Sequence, residues 1–245
     1  MYKHLMNDIY ILKNPVKAKL LQRFFKTGRG QYGEGDMFLG ITVPKQRILA
    51  KKYIDLKFND IEKLLKSPIH EHRLIGLLIL TYQFARAEKL KFKNPAQGEL
   101  EQKRIYQFYI AHTGGINNWD LVDVTAPKVV GAFLRHRDKK ILFKLAKSKN
   151  LWQRRIAIIS TFDFIYFKDP STTLALSEIL LKDSHDLIHK AVGWMLREVG
   201  KRCGEKYLTG FLDRHAGHMP RTMLRYAIER LSPPQKLLYM RKSAK

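Results

Sequence analysis

The chain has 245 residues, 45% of them hydrophobic and 28% charged, and carries a formal net charge of +24. That balance excludes a disordered chain, and the excess of Lys and Arg (46 against 22 Asp and Glu) steers the protein toward polyanions, nucleic acid ahead of an anionic membrane. The single cysteine, Cys203, excludes an internal disulfide or a multi-cysteine cluster; without an apolar signal core or a membrane-length run, the expectation is a soluble cytoplasmic protein with no targeting signal.

Apolar residues recur at spacings of three and four through 16–25, 46–54, 61–65, 74–84, 100–110 and 119–134. The pattern continues through 141–145, 152–164, 174–181, 187–199, 207–212, 223–231 and 235–240. Pro44, Pro68, Pro95, Gly114, Gly115, Pro170, Gly204, Gly217, Pro233 and Pro234 punctuate these runs. No alternating stretch suggests a sheet, so the predicted class is all-α. Several helices share a basic residue followed by small apolar ones, at Arg73, Lys128, Arg155 and Lys190, spaced irregularly. Helix pairs of this size stack into HEAT or armadillo solenoids. The expected architecture is therefore one domain over 1–245, a right-handed α-solenoid of HEAT-like antiparallel helix pairs. If the basic residues all begin inner helices, they line a concave basic face; the competing reading is ordinary solvated charge at helix starts.

The charge is uneven. From Arg135 to Arg155 there are nine Lys or Arg and one acid, Asp138; from Met219 to Lys245 there are seven, Arg221 among them, against Glu229 alone. A lopsided field favours one phosphate-tracking surface.

Six segments bear on chemistry. Gly28, Gly30, Gly33 and Gly35 form a Gly-rich stretch, but no strand precedes it and no Gly-Lys-Ser/Thr ends it, so a phosphate loop is not expected. His70-Glu71-His72 is too short a pattern to indicate a metal. In Asn117-Asn118-Trp119-Asp120-Leu121-Val122-Asp123, a helix puts Trp119 and Asp123 on one face. Asn117 is read as the cap of that helix and Asp120 as a carboxylate serving its positive end. Asp123 lies a turn further on, and Pro127 has no N–H for its carbonyl, so a bend is expected there. An anion beside an aromatic contact opposes phosphate binding. It implies that a cation arises in the site, unless Asp123 is simply a buried acid paired with an Arg. His185 and His189 have zinc spacing but lack the Glu of the protease motif, and no metal is expected. Arg154 and Arg155 follow Trp152, and Lys190, Trp194 and Arg197 share one helix face. A Trp beside an Arg suits sugar and phosphate, although a Trp in an apolar helix is as readily core.

The segments 32–44, Trp119-Asp120-Leu121-Val122-Asp123, 152–158 and Val192-Gly193-Trp194-Met195-Leu196-Arg197-Glu198 together resemble the AlkD-type DNA alkylation repair glycosylases. They occur in family order across most of the chain. The resemblance implies a HEAT-like fold and a monofunctional glycosylase that excises purines alkylated at N3 or N7 without flipping the base. It assigns the catalytic carboxylate to Asp123, the two indoles that grip the lesion's backbone to Trp119 and Trp194, and the site arginine to Arg155. A family tyrosine falls near Tyr32, in a loop that here differs by a residue and is Gly-rich. Arg154, Lys190, Arg197, Lys128 and Arg221 are the expected DNA contacts. Alkylated duplex DNA is the implied partner, with no cofactor, no metal, no membrane and a monomer sufficing. The alternative from the same residues is a non-enzymatic HEAT-like nucleic-acid binder.

Overall fold

The computed structural model describes residues 1–242, which are helical apart from loops and one isolated bridge between Met37 and Ile69. The chain divides into two compact units, Met1–Val129 and the remainder from Val130, with the boundary inside the π-helical turn Pro127–Gly131.

The first unit contains α1 (Tyr2–Ile11), α2 (Pro15–Gln22), α3 (Val43–Lys52), α4 (Phe58–Leu65), α5 (His70–Leu90), α6 (Pro95–Ala111) and α7 (Trp119–Asp123). Helix α1 lies outside the predicted runs; only Leu5 and Ile9, one turn apart, are buried on it. Asn–Pro pairs start α2 and α6: the side chains of Asn14 and Asn94 accept from the N–H groups of Lys17 (2.9 Å) and Gln97 (3.1 Å), and Pro follows at the first helical position. Helix α5 is the core of this unit, packed against α3, α4 and α6. Leu74, Ile75, Leu77, Leu78, Ile79 and Leu80 are all at most 1% exposed, so this helix is apolar on every side. Burying those side chains contributes on the order of 10 kcal/mol. The short turn between α5 and α6 makes them antiparallel neighbours.

The second unit contains α8 (Ala132–Leu134), α9 (Lys140–Ala146), α10 (Leu151–Ser160), α11 (Phe162–Tyr166), α12 (Ser171–Leu180), α13 (Asp186–Arg202), α14 (Glu205–His215), α15 (Arg221–Ala227) and α16 (Pro233–Lys242). Here α13 is central, packing against α10, α12, α14 and α15 through Ile188, Ala191, Val192, Met195, Leu196 and Val199. Gly193 lets α15 come close, because a Cβ there would strike the carbonyl of Met223.

Two predicted helices are divided in the structure for the same reason. The run 119–134 stops at Asp123, turns at Val124 and Thr125, and resumes as the π turn and α8. Pro127 withholds an N–H, and the Thr125 hydroxyl donates back to the Leu121 carbonyl while pairing with the Tyr109 hydroxyl at 2.9 Å. The run 152–164 is broken at Thr161, where the hydroxyls of Ser160 and Thr161 donate to the carbonyls of Ile156 and Ile158. Side-chain hydroxyls that satisfy helix carbonyls remove the need for the next turn.

Candidate active site

In the first unit, three segments distant in sequence meet around Trp119: the loop 23–42, the start of α5, and α7. The loop is self-contained at its Gly-rich part. Gly28 N–H donates to Gln31 Oε1 (2.9 Å) and Gly30 N–H to Glu34 Oε2 (2.7 Å), so two amides that a phosphate loop would offer already have partners. The loop then binds α5. Met37 N–H donates to the Pro68 carbonyl (3.0 Å) and its carbonyl accepts from His70 N–H (2.8 Å). Glu71, 1% exposed, accepts the N–H groups of Leu39, Gly40 and Ile41 at 2.8–3.2 Å. Three amide donors around one buried carboxylate offset its desolvation. Gly40 holds this turn at φ +82°, where a side chain would meet the backbone of Asn14 and Ala18.

Beneath Trp119 lies a buried charged network. Asp36 accepts from Arg73 Nη2 (2.6 Å), from Asn118 Nδ2 (3.1 Å) and from His70 Nδ1 (3.4 Å). His70 Nε2 donates to Asp120 Oδ2 at 2.8 Å. Burial alone would push the His70 pKa down, but the hydrogen bonds to the two carboxylates outweigh it and raise it to about 9, so the ring is an imidazolium at neutral pH. Burial would raise the Asp36 carboxyl, yet His70, Arg73 and Asn118 hold it below the usual carboxylate range. His72, two residues on, behaves oppositely: burial and the Arg73 charge lower it to about 4, and its Nδ1 lies 2.9 Å from Ser67 Oγ.

Aromatic rings complete this site. Phe25 stacks on Trp119 with centroids 5.3 Å apart and on Phe38 at 5.1 Å, and both phenyl rings pack on His70 at 4.9 Å. Trp119 and Asp123 are each half-buried at the two ends of α7. Tyr109 is fully buried; burial pushes its phenol well up, and the nearby Asp123 charge adds to that shift.

The cap of α7 is corrected by one residue. Asn118, not Asn117, accepts from Trp119 N–H (2.8 Å), while Asn117 Oδ1 is buried without a hydrogen-bond partner. Asp120 does face the helix start, accepting from Leu121 N–H (2.8 Å), but its second oxygen holds His70, so it joins α7 to α5 rather than serving only as a cap.

The second unit holds the other predicted residues except Lys128 and Tyr32, which belong to the first. Arg155, 5% exposed on α10, donates through Nη1 to the Leu187 carbonyl at the start of α13. Trp194, half-buried on α13, packs at 6.0 Å from Phe162. Arg202 lies over Phe162 at 5.2 Å and pairs with Glu198 at 2.9 Å. Arg154 is bound to Asp183 (2.6 Å) and to the carbonyls of Ser148 and Lys149 (3.0 Å each). Arg197 pairs with Glu229 and Glu198, and Lys190 with Asp186 at 2.6 Å. Arg221 is exposed and donates to the Met240 carbonyl (2.9 Å), and Lys128 is exposed on the π turn. Tyr32 is half-buried in the Gly-rich loop. His185 Nδ1 accepts from Leu187 N–H (3.1 Å), and His189 Nε2 meets the Asp183 carbonyl (2.5 Å), both local helix-start contacts. Among the described residues no group of three His, Cys, Asp or Glu is arranged to hold a metal, and no helix is long and apolar enough to cross a membrane.

A family model described as DNA alkylation repair enzyme matches residues 5–231. The chain belongs to the DNA alkylation repair enzymes. Among solved structures, it is similar to a predicted DNA alkylation repair enzyme from Enterococcus faecalis, with TM-score 0.65 and 16% identity over 90% of this chain and 97% of that one. AlkD2 from Streptococcus mutans also matches, with TM-score 0.49 and 18% identity over 83% and 89% of the two chains. Comparison with curated sequences finds no match. The Enterococcus likeness establishes the fold, in keeping with the all-α, helical-repeat class expected from the sequence.

For this family member, the motif residues are only the visible part of the site. Phe25, Asp36, Phe38, His70, Glu71 and Arg73 surround or brace the Trp119 site, a place the sequence reading gave to none of them; Arg73, read there as a basic residue at a helix start, is instead buried on Asp36. One signal for them exists. His70 to Arg73 open a helix whose next seven residues are apolar, and four polar side chains on so apolar a helix are buried with it.

Proposed function

We propose that this member of the DNA alkylation repair enzymes is a monofunctional glycosylase acting on purines alkylated at N3 or N7 in duplex DNA. The observation that carries the reading is α7. A half-buried carboxylate, Asp123, lies one turn from an indole whose ring is backed by Phe25, in a chain of net charge +24. The basic chain draws phosphate by long-range attraction. A carboxylate would weaken that attraction, so its use is at the moment positive charge appears.

An alkylated purine is a cationic leaving group. As its glycosidic bond breaks, the base departs with the bonding electron pair and the deoxyribose becomes oxocarbenium-like. Asp123 stabilises that cation and orients the water that attacks the sugar carbon, taking up the proton it releases. Trp119 presents an electron-rich face to the same sugar, an attraction worth about 0.5–2 kcal/mol for a cation on an indole. Trp194 grips the backbone and Arg155 is the site arginine, as the family resemblance implies. As the family resemblance implies, the lesion is excised while stacked in the duplex rather than flipped out, so few contacts to base edges are needed. No lysine is placed by the motif to form a Schiff base, so lyase activity is not part of the proposal.

The test is release of N7-methylguanine from methylated duplex by the wild type and by Asp123→Asn. Release by the wild type and its loss in the variant, with duplex affinity kept, is the expected result. Equal rates would remove Asp123 from catalysis. Tight duplex binding with no excision by the wild type would favour a non-enzymatic binder.

A further inference from the structure

The network beneath Trp119 is more elaborate than a cap requires. Asn118 and Asp120 flank Trp119 in the chain, and each is tied to one member of the hydrogen-bonded pair Asp36 and His70. Asn118 caps α7 through Trp119 N–H and donates to Asp36; Asp120 accepts from His70, whose other nitrogen faces Asp36. His70 and Asp36 are 3–4% exposed at their side chains and Asp120 is 14% exposed. The same imidazole also supports the indole indirectly, since Phe25 packs on both His70 and Trp119. Backbone and ring of Trp119 therefore depend on one side chain that comes from a different helix.

The charges facing His70 are Asp36 from the loop, Asp120 from α7 and Arg73 from its own helix, while Phe25 and Phe38 cover it with uncharged rings. Two carboxylates, a guanidinium and an imidazolium sum to zero charge. Loss of the imidazolium charge leaves a buried and a largely buried carboxylate with one cation, an arrangement that must open or take up a proton.

We propose that His70, held between Asp36 and Asp120, is a positioning residue that fixes Trp119 and, through α7, Asp123 for the excision step. Its part in excision rests on the glycosylase reading, whereas its hold on Trp119 does not. His70 touches no reacting atom; it acts through α7 and the Phe25 ring. Small displacements of catalytic groups are costly, a 1 Å misplacement being worth about 100-fold in rate.

The test compares His70→Gln with the wild type in two assays. In single-turnover release of N7-methylguanine from methylated duplex, the variant loses about 10- to 100-fold in maximal rate, while its affinity for undamaged duplex is unchanged. A merely structural role would lower the folded fraction and leave the rate per folded molecule as it was. The second assay is independent of activity: fluorine NMR of protein carrying 5-fluorotryptophan at its three tryptophans. The Trp119 resonance moves in His70→Gln, and those of Trp152 and Trp194 stay in place. If His70→Gln does not fold, Asp120→Asn, which keeps an acceptor for His70 Nε2 but removes the charge, carries both assays. An unmoved Trp119 resonance, or excision at the wild-type rate, overturns the proposal. If the wild type releases no base but the Trp119 resonance moves, the positioning of Trp119 stands and the glycosylase reading falls. If the wild type excises, Asp123→Asn does not, and His70→Gln excises normally, only the positioning proposal falls.

Discussion

Two histidines two residues apart on α5 should give this protein a stability maximum near neutral pH. His70 has a folded pKa of about 9 against 6.5 for the free side chain. A raised pKa favours the folded state wherever the group is protonated, so its contribution is full below pH 6.5 and vanishes as pH rises through about 9. At 1.36 kcal/mol per unit, the loss over that interval is roughly 3 kcal/mol. His72 is lowered from 6.5 to about 4, so its contribution has the opposite course, complete above pH 6.5 and lost as pH falls toward 4. The assay is urea unfolding at intervals between about pH 5 and 10, for the wild type, His70→Gln and His72→Gln. The wild type should peak near pH 6.5–7, His70→Gln should lose the alkaline fall, and His72→Gln should lose the acid fall. General charge repulsion predicts the reverse on the alkaline side, because raising pH relaxes a chain of net charge +24. An alkaline fall that persists unchanged in His70→Gln would refute the assignment of a buried imidazolium.

Other predictions concern separate parts of the structure. Glu71→Ala leaves three loop amides without their acceptor, and at about 1–3 kcal/mol for each buried unsatisfied group the variant should be destabilised by several kcal/mol in the same unfolding assay. Binding to undamaged duplex across a salt series should distinguish the exposed cations from the paired ones. Lys128→Ala and Arg221→Ala should each reduce the slope of log K against log salt by about one, whereas Arg154→Ala, with its guanidinium on Asp183, should lower thermal stability and change the slope little.

The helical class was legible because burial of one face leaves a three-and-four periodicity along the chain, and the Pro and Gly residues between the runs sharpened it. Helix ends inside 119–134 and 152–164 were less legible. They depend on the hydroxyls of Thr125, Ser160 and Thr161 turning back to carbonyls, a choice between local bonds of nearly equal energy. The N-terminal helix escaped because two buried residues, Leu5 and Ile9, make too short a stripe to show a period.

By itself the sequence determined that this is an all-α basic protein and that Trp119 and Asp123 lie a turn apart on one helix, since these follow from apolar spacing, charge and spacing along the chain. It also brought out the motif that places the protein among the DNA alkylation repair enzymes. Tertiary structure alone decided what holds that helix. Asp36, the His70 and Arg73 pair, and Asn118 come from three distant parts of the chain, and His70 in isolation is an ordinary histidine with a pKa of 6.5. Only when folding removes water and places a carboxylate near each of its nitrogens does it become a buried cation, because the energy of such a group depends on its neighbours in space rather than in sequence.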